Sequence, residues 1–177
     1  IYFESHFCFG TSIDGIAVGG SNVEKVEDAI RTEMKNYNLT VTAREDKNGT
    51  IAGSDIDMEP VFQGEIEKLL EEQNGFAWLI LMFQKQEFEL AKVVSYDEQK
   101  LDEAVRNLPC MKDQRTPVDA TYSDYTKENG YALVPADYGT QVDNAKVRKA
   151  VSDAVLVLDE TVDLEQSGCY LEPAIGD

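Results

Sequence analysis

Residues able to carry covalent or metal chemistry are few in this 177-residue chain: three Cys, at positions 8, 110 and 169, and one His, at position 6. The most suggestive stretch is Ser167-Gly-Cys-Tyr-Leu-Glu-Pro173, where the Cys169 thiol could be a nucleophile, a metal ligand or half of a cross-link. A thiolate nucleophile needs a base within hydrogen-bond reach and a third group to orient that base. The one imidazole, on His6, lies at the opposite end of the chain. Zinc needs several Cys or His ligands at short spacings. His6 and Cys8 alternate on a segment that reads as extended and would point the same way, but two ligands do not make a site. We therefore expect no metal and no cofactor. A phosphate-cradling Gly-rich loop and a Gly-x-Ser-x-Gly elbow are also absent from the sequence.

Carboxylates and phenols remain. Asp55-Ile-Asp-Met-Glu59 places three carboxylates on one face of an expected strand, a calcium-like arrangement. Pro60 then stands where the next ligand of a calcium loop belongs, and no Gly supplies the sharp turn, so the cluster reads as a solvated face. Any two of the thirty-four Asp and Glu could meet across a cleft for glycoside hydrolysis, and their abundance singles out none. Tyr122, Tyr125, Tyr131 and Tyr138 gather around one predicted hairpin. Such rings can stack on a sugar or a peptide, or can be cross-strand pairs that cover a sheet. They are the candidate ligand-contact residues. Trp78, inside the apolar run from Phe76 to Phe83, reads as core.

Charge narrows the partners. Sixteen Lys and Arg against thirty-four acids give a net charge of −18, which excludes a phosphate-backbone partner and adhesion to anionic lipid. The longest apolar run, eight residues, is too short to span a membrane. No basic leader stands at Ile1, so we expect a signal or anchor to have preceded this sequence.

The elements that would position these residues show an internal repeat. Aligned from Asn22, Asp97 and Asp143, the segments NVEKVEDAI, DEQKLDEAV and DNAKVRKAV each read as a capped helix with one apolar face. In the first, Ser21 with Glu24 predicts a capping box, and Val23, Val26, Ile30, Met34 and Tyr37 continue the stripe. Val147, Ala150, Val151, Ala154, Val155 and Leu158 do so in the third. After the first helix, Leu39–Ala43 alternates, turns at Asp46-Lys-Asn-Gly49 and resumes at Thr50-Ile51. After the second, Asp119–Tyr125 turns at Lys127-Glu-Asn-Gly130 and resumes at Tyr131–Val134. Each copy is thus a helix and then a hairpin with an Asn-Gly turn, where positive φ is cheap. A further helix is expected over Glu65–Gln73, and strands over Phe88–Val94 and Thr161–Leu164. The expected fold is α+β, two related modules with amphipathic helices on small antiparallel or mixed sheets, divided into residues 1–87 and 88–177.

Several short motifs carry a family resemblance. Phe9-Gly-Thr-Ser-Ile-Asp-Gly-Ile-Ala-Val-Gly-Gly20 resembles the opening found just outside the membrane anchor of bacterial cell-wall proteins. Tyr96-Asp-Glu-Gln-Lys-Leu101, Leu108-Pro-Cys-Met111, Pro117-Val-Asp-Ala120, Gly130-Tyr-Ala-Leu-Val-Pro135 and Val162-Asp-Leu-Glu165 with Cys169-Tyr170 continue it. So do Gly139 and Val142-Asp143. Together they resemble the peptidoglycan-binding module that precedes L,D-transpeptidase (YkuD-type) catalytic domains and occurs in VanW-type proteins. The resemblance implies an extracytoplasmic, wall-facing region of a membrane-anchored protein of a Gram-positive bacterium. Its implied partners are the glycan or stem peptide of peptidoglycan and a downstream catalytic domain. That catalytic domain carries a Ser-His-Gly-Cys motif; Ser167-Gly-Cys169 lacks the intervening His, so this chain is expected to be non-catalytic. An exported setting favours disulfides, and under it Cys110 and Cys169 are expected to pair, with two reduced thiols packed as small hydrophobes as the alternative.

Overall fold

Three helices begin where the Asn and Asp of the repeat stand. Asn22 is extended (φ −87°, ψ 172°), and its side chain accepts from the Lys25 amide at 3.1 Å. The cap is therefore Asn22, one residue later than the Ser21 capping box predicted. Asp143 caps another helix by accepting from the Ala145 and Lys146 amides at 2.9 and 3.2 Å.

A computed structural model describes residues 2–73, 85–90 and 93–176. In chain order the elements are β1 (Thr11–Ile13), β2 (Ile16–Ala17), α1 (Val23–Asn36), β3 (Asn38–Thr42), β4 (Gly49–Ala52), β5 (Glu59–Pro60) and α2 (Glu65–Gln73). There follow β6 (Gln86–Phe88), β7 (Val94–Ser95), α3 (Glu98–Asn107), β8 (Thr121–Tyr122), β9 (Leu133–Val134), α4 (Asn144–Leu156) and β10 (Thr161–Asp163). The fold is α+β. Trp78 and the apolar run 76–83 lie outside the described residues, as does part of the strand expected over 88–94. No helix among the described residues is long and apolar enough to cross a membrane.

The chain forms two compact units, Ile1–Tyr37 with Asp57–Asp97, and Asn38–Ile56 with Glu98–Asp177. They interleave along the sequence, whereas the sequence reading divides the chain once, at 87/88. In the first unit β1 pairs antiparallel with β2 and parallel with β6. The β1–β2 turn places Asp14 and Gly15 at φ 48° and 80°, the positive pair that a two-residue hairpin requires. Val26, Ile30 and Met34 of α1 are buried in this unit with Ile66 and Leu70 of α2. Gln73, at the end of α2, is 3% exposed and fully used. Its Oε1 accepts from the Cys8 amide, and its Nε2 donates to Thr11 Oγ1 and Gln86 Oε1, tying β1 to β6.

In the second unit β3 pairs antiparallel with β4 and parallel with β10. Leu39 and Val41 of β3 and Ile51 of β4 are buried with Val147, Val151 and Val155 of α4 and Leu101 and Val105 of α3. The β3–β4 turn does not use Asn48-Gly49 for its positive φ; Glu45 and Asp46 take it, at 56° and 55°. Gly49 is required by packing instead, since a Cβ there would stand 2.6 Å from Leu108 Cδ2 and 2.9 Å from Pro109 Cδ. Asp55, Asp57 and Glu59 do not share an extended face either. Gly53–Ile56 is a 3₁₀ turn and Asp57 has φ 48°, so the alternation expected of a strand is broken.

Candidate functional site

The four tyrosines are the site residues the structure leaves most open. Tyr122, Tyr125, Tyr131 and Tyr138 are 71, 62, 69 and 41% exposed. Tyr122 lies in β8, Tyr125 and Tyr131 flank the turn, and Tyr138 follows β9. The rings of Tyr125 and Tyr131 meet edge to face, with centroids 5.4 Å apart and an interplanar angle of 62°. The turn that brings them together is closed by mutual bonds between Thr126 and Gly130, at 3.0 and 2.8 Å. Thr126 Oγ1 also accepts from the Asn129 amide, and Gly130 takes φ 66°. Here the Asn-Gly signal does what the sequence suggests.

Below the turn, the Ser123 amide donates to the Ala132 carbonyl at 2.8 Å, and the Ala132 amide donates to Ser123 Oγ at 3.0 Å. Val118 and Asp137 bond reciprocally at the hairpin's base. Two arginines fix that base. Arg115 donates to Asp137 Oδ2 and to Glu45 Oε1, and its backbone carbonyl accepts from the Thr140 and Gln141 amides. Arg44 donates to the Tyr138 and Gly139 carbonyls at 3.1 and 3.3 Å, and its fork grips Glu165. Its guanidinium lies 4.1 Å from the centroid of the Tyr170 ring. The bond from Arg44 holds the Glu165 carboxyl below its ordinary range, and the Gly139 amide does the same for Asp137. Gly139 itself (φ 59°) admits no side chain, because a Cβ would stand 2.4 Å from the Arg115 carbonyl oxygen. The aromatic turn is thus a two-stranded projection on a rigid base. Its anchors, Arg44 and Arg115, carry no local sequence signal, because their partners are up to 128 residues away.

The other candidates are structural. Cys110 and Cys169 are buried and unbonded, so the expected disulfide is not formed. Cys110 packs in the 3₁₀ turn Pro109–Met111, and the Cys169 thiol donates weakly to the Ser167 carbonyl at 3.9 Å. Burial pushes both thiols up and keeps them protonated, which is the behaviour of small hydrophobes. Cys8 is buried and raised in the same way. His6 does not share its setting: its ring stacks on Tyr2 at 4.1 Å, and its Nδ1 lies 2.9 Å from Ser5 Oγ. Among the described residues no group of three or more His, Cys, Asp or Glu is placed to hold a metal ion. A groove of about 570 Å³ in the second unit is lined by Thr50, Asp55, Lys100, Glu103 and Asn107, where charges of both signs stand side by side.

No protein-family model matches the chain, and neither a curated protein nor a solved structure matches it.

Proposed function

We propose that this chain is a non-catalytic, extracytoplasmic region that binds or positions against peptidoglycan, within a membrane-anchored L,D-transpeptidase-like protein. The Tyr125–Tyr131 pair is its contact point. The observation that carries this reading is the exposed edge-to-face pair on a hairpin whose base is tied down by Arg44 and Arg115. Tyrosine offers a flat apolar face and a hydroxyl at low entropic cost, which suits the C–H faces and hydroxyls of a glycan or the backbone of a stem peptide. A net charge of −18 repels wall phosphate polymers, which favours the uncharged glycan as the ligand. The tandem of two units also suits a spacer without glycan affinity, and one experiment separates the two readings.

The protein is incubated with purified sacculi, with and without teichoic acid, and the retained fraction is measured. Binding is expected on both, stronger on stripped walls, and weakened roughly tenfold in a Tyr125→Ala, Tyr131→Ala double variant. The melting temperature of that variant should be unchanged, since exposed side chains contribute about 0.5 kcal/mol or less to stability. Unaltered retention of the double variant would remove the pair from the site. Absence of retention of the native chain at low salt would leave the spacer.

A further inference from the structure

The two units repeat one chain path. In the first, the β1–β2 hairpin leads to α1, a connection, β5, α2, β6 and β7. There β6 returns parallel to β1, and β5 pairs antiparallel with β7. In the second, the β3–β4 hairpin receives β10 parallel to β3 after α3 and α4. Val142, just before α4, bridges antiparallel to Tyr170, just after β10. The connection between the helices departs from each unit's own path. Between α1 and α2 it carries β3–β4, which becomes the sheet of the other unit. Between α3 and α4 it carries β8–β9. The sequence repeat of helix and Asn-Gly hairpin makes the same match, α1 with α3 and β3–β4 with β8–β9. One difference separates the matched hairpins: β3 has a return strand on its outer edge, whereas among the described residues β8 pairs only with β9.

The open edge has the features that β3 uses. On β3, the Thr40 amide donates to the Glu160 carbonyl and the Thr42 carbonyl accepts from Leu164, so alternate residues face the return strand. On β8, the Ser123 amide is turned toward β9, and alternation turns the N–H and C=O of Tyr122 to the open side. The edge begins with a bond already in place, from the Ala120 amide to the Ile175 carbonyl at 2.9 Å. In this register the counterpart of the Leu39–Ile51 cross-strand pair of β3–β4, 0 and 1% exposed, is Thr121–Val134, and both of these residues are exposed. An uncovered cross-strand pair beside an open edge leaves both the edge and the face free for another strand.

We infer that the open edge of β8 is a strand-acceptor site whose occupant is the return strand of a further unit of the same build. That strand adds parallel to β8 as β10 adds to β3, and the helices of its unit cover Thr121 and Val134. Two copies of β8 related by a two-fold axis would run antiparallel, against the direction used in both units. The inference does not rest on wall binding, because it uses the edge of Tyr122 rather than the Tyr125–Tyr131 pair at the turn.

The test compares the chain with a version in which residues 97–177 are repeated after Glu172. The junction restores the spacing by which Glu98 follows Val94, the counterpart of Tyr170. Lys127→Arg in the first copy marks its peptides by mass, and hydrogen exchange is followed at the Tyr122 amide of each copy. This amide should slow roughly tenfold or more in the first copy and keep the original rate in the second. Original rates in the first copy, with the added helices protected, would overturn the inference. If the added copy fails to fold, a peptide of residues 157–166 is offered to the original chain, where slowing of the Tyr122 amide supports the inference and its absence overturns it. Protection that grows with concentration of the original chain alone would assign the edge to a second copy and overturn it as well.

Discussion

Arg44 shows how much one side chain organises. It joins β3 to the segment after β10 through Glu165 and Glu172, holds two carbonyls of the hairpin base and stacks on Tyr170. A fork that grips a carboxylate and lies on a ring is work lysine cannot reproduce. The consequence is pH-dependent. Glu165 is held low first by the Arg44 bond, Asp137 first by the Gly139 amide, and Glu65 first by the Gln63 amide. A carboxyl lowered on folding contributes stability above its unfolded pKa, near 4, and that contribution is lost as pH falls through the folded value. The melting temperature should therefore be flat from neutrality to about pH 5 and fall below about pH 4, less steeply in Arg44→Gln. The buried thiols have the opposite sign. Raised on folding, Cys8, Cys110 and Cys169 favour the fold below a free thiol's pKa of about 8.5, and stability should decline as pH rises beyond it. A melting temperature that does not change between pH 5 and about pH 3 would show that these bonds do not form in solution. None of this was legible in the sequence. A cysteine pair looks the same whether it will bond or pack, and nothing near Arg44 announces Glu165.

At the scale of elements, the hairpins separate what local pattern encodes from what packing decides. Periodicity and Asn or Asp caps place α1, α3 and α4 well, and α2 spans the expected Glu65–Gln73, because both signals are local. Two Asn-Gly turns look alike in sequence, yet only Gly130 takes positive φ, while Gly49 is small so that Leu108 and Pro109 can approach. The stretch Asp55–Glu59 alternates like a strand, but a 3₁₀ turn through Ile56 and a left-handed Asp57 break it before β5 begins at Glu59. Gly139 is demanded twice over, by φ 59° and by the Arg115 carbonyl. Gly139→Ala should cost roughly 2–4 kcal/mol in urea unfolding. Gly168→Ala, at φ 63° with open space around the new methyl, should cost only the left-handed penalty of about 1 kcal/mol. Equal losses would show that the hairpin base is not closely packed. The tyrosines were legible as candidates because residue type and clustering suffice. The open edge of β8 was not, because the strand missing from it is visible only beside β10 on β3.

For the whole molecule, the decisive feature is the interleaving of the two units. The sequence shows the repeat of helix and hairpin but not that the β3–β4 hairpin after α1 serves the other unit's sheet, since β3 finds its parallel partner in β10 across a separation that leaves no local trace. A fragment of residues 88–177 retains α3, α4 and β10 but loses β3 and β4, and with them the buried Leu39, Val41 and Ile51. It should give no cooperative unfolding transition by circular dichroism, and a sharp transition would mean that the second unit stands without its hairpin. The same interleaving sets a schedule for synthesis. On the ribosome β3 and β4 are complete at residue 52, but the strand that closes their sheet begins only at residue 161. At roughly 5–20 residues per second, the nascent hairpin waits about 5–20 s with its apolar face uncovered. During that interval the first unit can close around β6 and β7, leaving the unfinished hairpin as the part of the emerging chain most in need of a chaperone.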